Sequence, residues 1–260
     1  MSRRILAIAL LPAALLAACG GAGRPELSDP REIITQGLTA LGELDSFRFE
    51  LAVSGEVSPP ETGGMTVSLD GTSVSGAVDV GGRRAGIEFA VPTLMGLSGE
   101  MRLVDEAMFV KTSLTGERWS RQPLEDEEAL GAAADPAEAI ATARDFLSRE
   151  GVESRKLDDA ECGPEDERTC YNVELEVPSE ILAEAEGAAE MADAFPDGLD
   201  LTLLFDKETL HLREASTTVS SPDIGSLNVS LQLTDFDEAV SVEAPPADEV
   251  DEGGGGLPFP

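Results

Sequence analysis

Residues 45–53 read DSFRFELAV, and from Phe47 onward apolar and polar side chains alternate. Phe47, Phe49, Leu51 and Val53 fall on one side, with Arg48, Glu50 and Ala52 on the other. That is the period-two pattern of a strand with one face in a core and the other in water. One wet face implies an antiparallel sheet, since strands of parallel sheets are apolar on both faces. Immediately upstream, Ile33, Ile34, Leu38 and Leu41 recur at helical spacing. Asp29 suits the N-cap, Pro30 the first turn and Gly42 the stop, so a helix is predicted over 30–42.

Downstream, the alternating style continues through about 65–80, 85–92, 97–104 and 108–113, broken by Gly81-Gly82 and Asp105-Glu106. Consecutive segments of this kind predict an antiparallel meander. A second helix is expected over 136–149, opened by Asp135-Pro136 and carrying Ile140, Ala141, Phe146 and Leu147. Strands return at 152–159 and 171–177. Ser179 then caps a helix over 179–194, with Leu182, Ala185, Ala188 and Ala189 available to its inner side, and Pro196-Asp197-Gly198 ends it. Three further strands are expected at 199–205, 209–219 and 226–236. The sum is an α+β chain with a large curved antiparallel sheet of about 10–11 strands, of a size that tends to curl, and three helices over its concave face. The tail 247–260 is acidic, proline-bearing and contains the four glycines Gly253 to Gly256, so it is predicted to lack fixed order.

The N-terminus carries a different message. Arg3 and Arg4 precede an apolar run from Ile5 to Ala18, too short to span a bilayer but of the right length for export. The run closes on Leu16-Ala17-Ala18-Cys19, which matches the lipobox of bacterial lipoproteins: an aliphatic residue, two small ones, then the cysteine that is lipidated and becomes the new N-terminus. Residues 1–18 are therefore read as a signal peptide, 19–29 as a flexible tether, and Cys19 as the site of a lipid anchor on the outer face of the membrane. The alternative is an ordinary cleaved signal peptide with Cys19 a bystander. Two or three acyl chains would hold the protein almost irreversibly, each buried methylene adding about 0.8 kcal/mol.

The formal charge of −33 excludes nucleic acid as a partner, because binding it rests on neutralising phosphates with cations. Beyond Cys19 two cysteines remain, Cys162 and Cys170, flanking the tip between the segments 152–159 and 171–177. In an oxidising compartment such a pair reads as a disulfide. A metal site is the rival, but the single histidine, His211, lies far along the chain.

Catalytic chemistry is poorly provided for. His211 alternates with leucines in TLHLR (residues 209–213) and is expected to face solvent; the usual catalytic triads rest entirely on it. The acidic runs Glu125–Glu128 and Asp158-Asp159 lack the spacing of a calcium loop. Paired carboxylates for glycoside hydrolysis remain open among 51 acidic residues, though one Trp and one Tyr are poor material for sugar platforms. The chain is read as a non-enzyme with no cofactor, no metal and no catalytic residues.

Several short stretches occur in a telling order: the lipobox; DSFRF at 45–49; MFVK at 108–111 followed by GERW at 116–119; LFDKETL at 204–210; and DFDEAVSVEAPP at 235–246. In this order the chain resembles the LppX/LprG family of cell-envelope lipoproteins, which are similar in fold to the LolA and LolB lipoprotein carriers. The resemblance covers about residues 30–246. It implies a half-open antiparallel barrel whose concave face, roofed by helices, forms an apolar cavity for the acyl chains of envelope lipids or lipoproteins. It transfers no catalytic and no individual binding residue.

The residues suggest where such a cavity would lie. Phe47, Phe49, Leu51, Ile87, Phe89 and Val91 alternate onto a face, while the alanine-rich helix with Leu182, Ala185 and Ala189 would leave volume above it. Alanine as a plain helix former is the competing reading of that helix. The expected function is a membrane-anchored extracytoplasmic lipoprotein that binds or transfers lipid, with an envelope transporter or sensor as a protein partner. The alternative is a non-enzymatic sensor or scaffold of the same fold, like the RseB-type regulators, holding a protein instead.

Overall fold

The stretch that begins at Phe47 becomes β1 (Ser46–Val57), and β1 is the hub of the molecule. In the computed structural model, which describes residues 26–58, 66–104, 107–116, 118–123, 136–163, 168–183, 195, 197–221 and 225–251, it pairs antiparallel along both edges. One neighbour is β3 (Thr72–Asp79) and the other is β13 (Gly225–Thr234). From β3 a meander runs outward through β4 (Arg84–Val91), β5 (Leu97–Val104), β6 (Ala107–Thr112) and β7 (Trp119–Pro123). From β13 the order runs back through β12 (Leu212–Ser221), β11 (Leu199–Asp206), β10 (Arg168–Val177) and β8 (Glu153–Lys156).

Among the described residues, three short strands complete a fourteen-stranded sheet: β2 (Val67–Ser68) beside β1, β9 (Ala160–Cys162) beside β10, and β14 (Val250–Asp251) parallel to β7 at one edge. The terminal strands β14 and β8 do not pair with each other, so the sheet is half-open as expected. The count exceeds the expected 10–11 because β2, β9 and β14 are too short to show an alternation, and β7, WSRQP, carries one apolar side chain before its proline.

α1 spans Pro30–Gly42, the predicted bounds. Asp29 caps it, its Oδ1 accepting from the Arg31 N–H at 2.9 Å. Ile33, Ile34, Leu38 and Leu41 are buried against the sheet, and removing each from water contributes about 1.5–3 kcal/mol. Contact is closest at Gly37, where a Cβ would lie 2.3 Å from two ring carbons of Phe205. α2 (Pro136–Leu147) lies beside α1, with Ile140, Phe146 and Leu147 packed on the same core. α3 is described over Ser179–Ala183; the rest of the helix expected to 194, with Ala185 and Ala189, lies outside the described residues. Cys162 and Cys170 form the disulfide, both buried, tying β9 to β10.

Both chain termini depart from the sequence reading. The expected tether 19–29 is structured from Glu26: Lys207 Nζ donates to Glu26 at 2.9 Å, and the Leu27 N–H donates to the Tyr171 hydroxyl at 3.0 Å. The tail expected to be unordered from 247 instead continues as a 3-10 turn over Ala247–Glu249 and then β14. Its anchor is Arg118, which donates to the Asp251 carboxylate and to the carbonyls of Asp248 and Val250. This C-terminal strap crosses the outer face of the sheet, where Val242 joins Val104, Ala107, Phe109 and Trp119 in a second small core. Arg102 and Lys111 sit over the Trp119 ring at 4.6 and 4.8 Å. Composition alone could not reveal that the strap has an apolar floor to lie on.

Candidate functional site

Alternation sorts the side chains of each long strand into an inner set, facing α1, and an outer set. Register then aligns the inner set into rows across the strands. The first row runs Phe47, Val78, Ala85, Leu103 and Met108; each is under a tenth exposed and the row lies at the α1 end. The next runs Phe49, Gly76, Ile87, Met101 and Val110, with Leu233 opposite Phe49 on the other side of β1. The third contains Leu231, Leu51, Val74, Phe89 and Gly99, and the fourth Val229, Val53 and Thr72.

Burial declines along this sequence of rows. Phe49, Ile87, Met101, Leu51, Val74, Phe89, Leu231, Val53 and Val229 are all only half-buried, although all are on the same face as the core beneath α1. One continuous apolar surface therefore divides into a part filled by helix α1 and a part that is not filled to core density. The second part is the candidate site.

Its floor has a specific construction. A Cβ on Gly76 would lie 2.9 Å from Phe49 Cε1, and one on Gly99 would lie 2.6 Å from Phe89 Cζ. Each phenyl ring thus lies over the glycine directly opposite it, covering backbone that would otherwise be bare. The fourth row adds polarity. The Oγ1 atoms of Thr72 and Thr217 are buried without a hydrogen-bond partner, and their residues bracket the neighbouring pair Val53 and Val229. Three strand spacings separate them, about 14 Å. A buried unsatisfied hydroxyl costs about 1–3 kcal/mol.

The outer face offers contrasting chemistry. A groove of about 730 Å³ lies between the sheet and the strap, and Arg48, Glu50, Glu88, Glu100 and Arg102 line it. Lys111 donates to Glu100 and, with Arg102 nearby, holds that carboxyl below its ordinary pKa. So many charges would have to be stripped of water to admit a hydrocarbon that this face is unsuited to an apolar guest.

A second polar cluster sits at the β11–β12 turn. Asp206 is 1% exposed; burial pushes its carboxyl pKa up, but the N–H groups of Thr209 and Glu208 and the guanidinium groups of Arg168 and Arg213 more than offset this, and the net shift is downward. His211 does not face solvent as expected. A positive φ at Leu210 and a shift of register against β11 break the alternation, and the half-buried imidazole packs 4.7 Å from the Phe236 ring. Burial, and then the neighbouring Arg213, lowers its pKa. Arg213 covers the other aromatic contact, 4.4 Å from Phe236. Among the described residues, no three His, Cys, Asp or Glu side chains converge as a metal site requires, and no helix is long and apolar enough to cross a membrane.

Of the residues singled out from sequence, Phe49, Leu51, Ile87, Phe89 and Val91 do share the candidate face. Phe47 and Leu182 stand apart from the half-buried rows: both are packed into the core beneath the helices, at 9% and 3% exposed. Sequence reasoning missed Val229 and Leu231, although the alternation SLNVSLQL (residues 226–233) could have supplied them. It also missed Val74 and Met101, which stand among serines, glycines and charges.

No family model and no curated protein sequence matches the chain. Solved structures do. The lipoprotein LppX of Mycobacterium tuberculosis superposes with a TM-score of 0.51 at 17% identity, over 83% of this chain and 100% of that one. LprF from Mycobacterium bovis superposes with a TM-score of 0.53 at 13% identity, over 86% of this chain and 99% of that one.

This is the LppX fold.

The half-open sheet with helices packed on it is the part of the reading that the likeness to LppX and LprF bears out, as the order of the short motifs implied. At this level of identity the likeness fixes the path of the backbone, and the chemistry of the inner face has to be read from this chain's own residues.

Proposed function

We propose that this protein is a lipid-anchored extracytoplasmic protein that holds the acyl chains of a lipid on the inner face of its sheet. The observation that carries this reading is the incompletely filled apolar face from Phe49 to Val53 and across to Val229, continuous with the core but not packed to core density. Protein interiors are close-packed, and an apolar surface this extensive is stabilised by an apolar occupant. Its fold likeness to the lipoprotein LppX supports the same reading, as does the lipobox ending at Cys19. The anchor on Cys19 places the protein on the outer face of the cell membrane.

The test is extraction of the purified full chain with organic solvent, followed by lipid mass spectrometry against a control protein handled identically. A lipid at about one per chain is expected. A clean blank, repeated after incubation with envelope lipids, overturns the reading and makes a protein segment the occupant of the inner face, as in a sensor or scaffold.

A further inference from the structure

We infer that the β4–β5 and β6–β7 hairpin tips are a membrane-docking rim that inserts into an uncharged bilayer surface. Among the described residues the exposed large apolar side chains are Leu94, Met95 and Leu114, at 49%, 90% and 54% exposure, and all three lie on these two turns. The tips are neighbours: the Ser113 N–H donates to the Ser98 carbonyl at 2.8 Å and the Ser98 N–H donates to the Ser113 hydroxyl at 3.1 Å. They stand at the end of the sheet remote from α1, where the inner face is least filled.

Charge distinguishes a bilayer from other partners. In a chain with 51 acidic residues, 92–98 (PTLMGLS) contains none, and neither does 112–116 (TSLTG), the stretch around Leu114 that precedes Glu117 and Arg118. A carboxylate carried into the headgroup region would have to be desolvated, and its absence removes that cost. Asp70, on a turn close to Pro92, spends its carboxylate on the Gly55 N–H at 3.0 Å. Backbone geometry adds a second indication. Met95 adopts φ +54°, a left-handed conformation unfavourable for a residue with a side chain, and the turn closes around it through Leu97 N–H to Leu94 carbonyl at 2.9 Å. A glycine would fit there without strain; instead an apolar thioether is held out into solvent. Flexible apolar side chains with uncharged neighbours, as at Leu94, Met95 and Leu114, bury themselves at the boundary between headgroups and acyl chains.

The inference does not depend on a lipid occupying the inner face, and its test separates the two. An indole is introduced by Met95→Trp or by Leu114→Trp in the full chain, with Glu208→Trp at the opposite end of the sheet as the control. Each protein is mixed with vesicles of phosphatidylcholine brominated along its acyl chains, and with unbrominated vesicles as reference. The native Trp119, 2% exposed, gives a constant background. Docking predicts a shift to shorter wavelength and bromine quenching of the indole at 95 and at 114, and neither at 208. An anchor at Cys19 brings the whole protein to the vesicle, so equal quenching at 95 and 208 overturns the inference, as does no quenching at 95 and 114. Quenched tips on a chain that extracts without lipid uphold the rim while sinking the proposed function; unquenched tips on a lipid-loaded chain do the reverse.

Discussion

Replacing Gly37 by alanine tests the packing of α1 on the sheet at one atom. The new Cβ would stand 2.3 Å from Phe205 Cδ1 and Cε1 and 3.2 Å from the Leu210 carbonyl oxygen. Carbon pairs settle at about 3.5–4.0 Å, so a gap of more than about 1 Å must open. Phe205 is 0% exposed and cannot swing aside, which leaves α1 to lift. Such overpacking costs about 1–3 kcal/mol, here toward the upper end because two ring atoms and a carbonyl resist together. Alanine returns about 1 kcal/mol of helix propensity, for a net loss of about 2 kcal/mol. For a domain of this size that lowers Tm by about 4–8 °C. The control is Gly42→Ala at the end of the same helix, where the nearest atom would be Ile140 Cγ2 at an ordinary 3.6 Å and the propensity gain is unopposed. Far-UV circular dichroism through a urea titration measures both. A Gly37→Ala chain as stable as the parent, or a Gly42→Ala chain that falls as far, would refute the argument from close approach.

Thr217→Val should stabilise the lipid-free protein by about 1 kcal/mol, since it removes a buried unpaired hydroxyl at constant shape. A fall in Tm of the extracted protein would contradict this. Leu51→Glu places a charge on the half-buried floor; bound lipid should drop out of the extract while circular dichroism remains native, and undiminished lipid would move the guest elsewhere. Asp206→Asn should cost about 2 kcal/mol at neutral pH. Because the folded carboxyl is more acidic than a free one of about 3.9, its contribution is complete above that value and is lost as the pH falls through the lower folded pKa, so the two melting curves should converge in acid. Mutating both Cys162 and Cys170 to serine should lose about 2 kcal/mol, the entropy of a loop closed over eight residues, read as a lower urea midpoint.

How much of this could be read in the chain varies with the length of each element. α1 and β1 were legible because a capping Asp-Pro, a helical period and then four alternating pairs act over thirteen and twelve residues. β7 and β14 were not: WSRQP and VD owe their structure to neighbours, β7 to β6 and β14 to the guanidinium of Arg118. The same holds for the site. Phe49, Leu51, Ile87, Phe89 and Val91 announce a face by alternation, but Phe47 continues that alternation and is buried under α1, since helix placement and not period decides which end of a face is filled. Gly76 and Gly99 look like weak points in strands; only the register shows a phenyl ring lying over each. His211 misled because the period of two was carried through a bulge.

The pairing of β1 with β13 also governs the order in which the molecule can be made. Arg48 meets Thr234 and Val57 meets Gly225, so one edge of the central strand finds its partner only after most of the chain has emerged. Until then, ten consecutive residues of β1 present unsatisfied amides and carbonyls beside an apolar stripe, which is a template for pairing with another chain. Contacts so distant in sequence form slowly. A nascent chain synthesised as far as β12 would therefore be the most aggregation-prone species in its life, and a nonsense codon just before Gly225 would yield insoluble protein in place of a smaller working one.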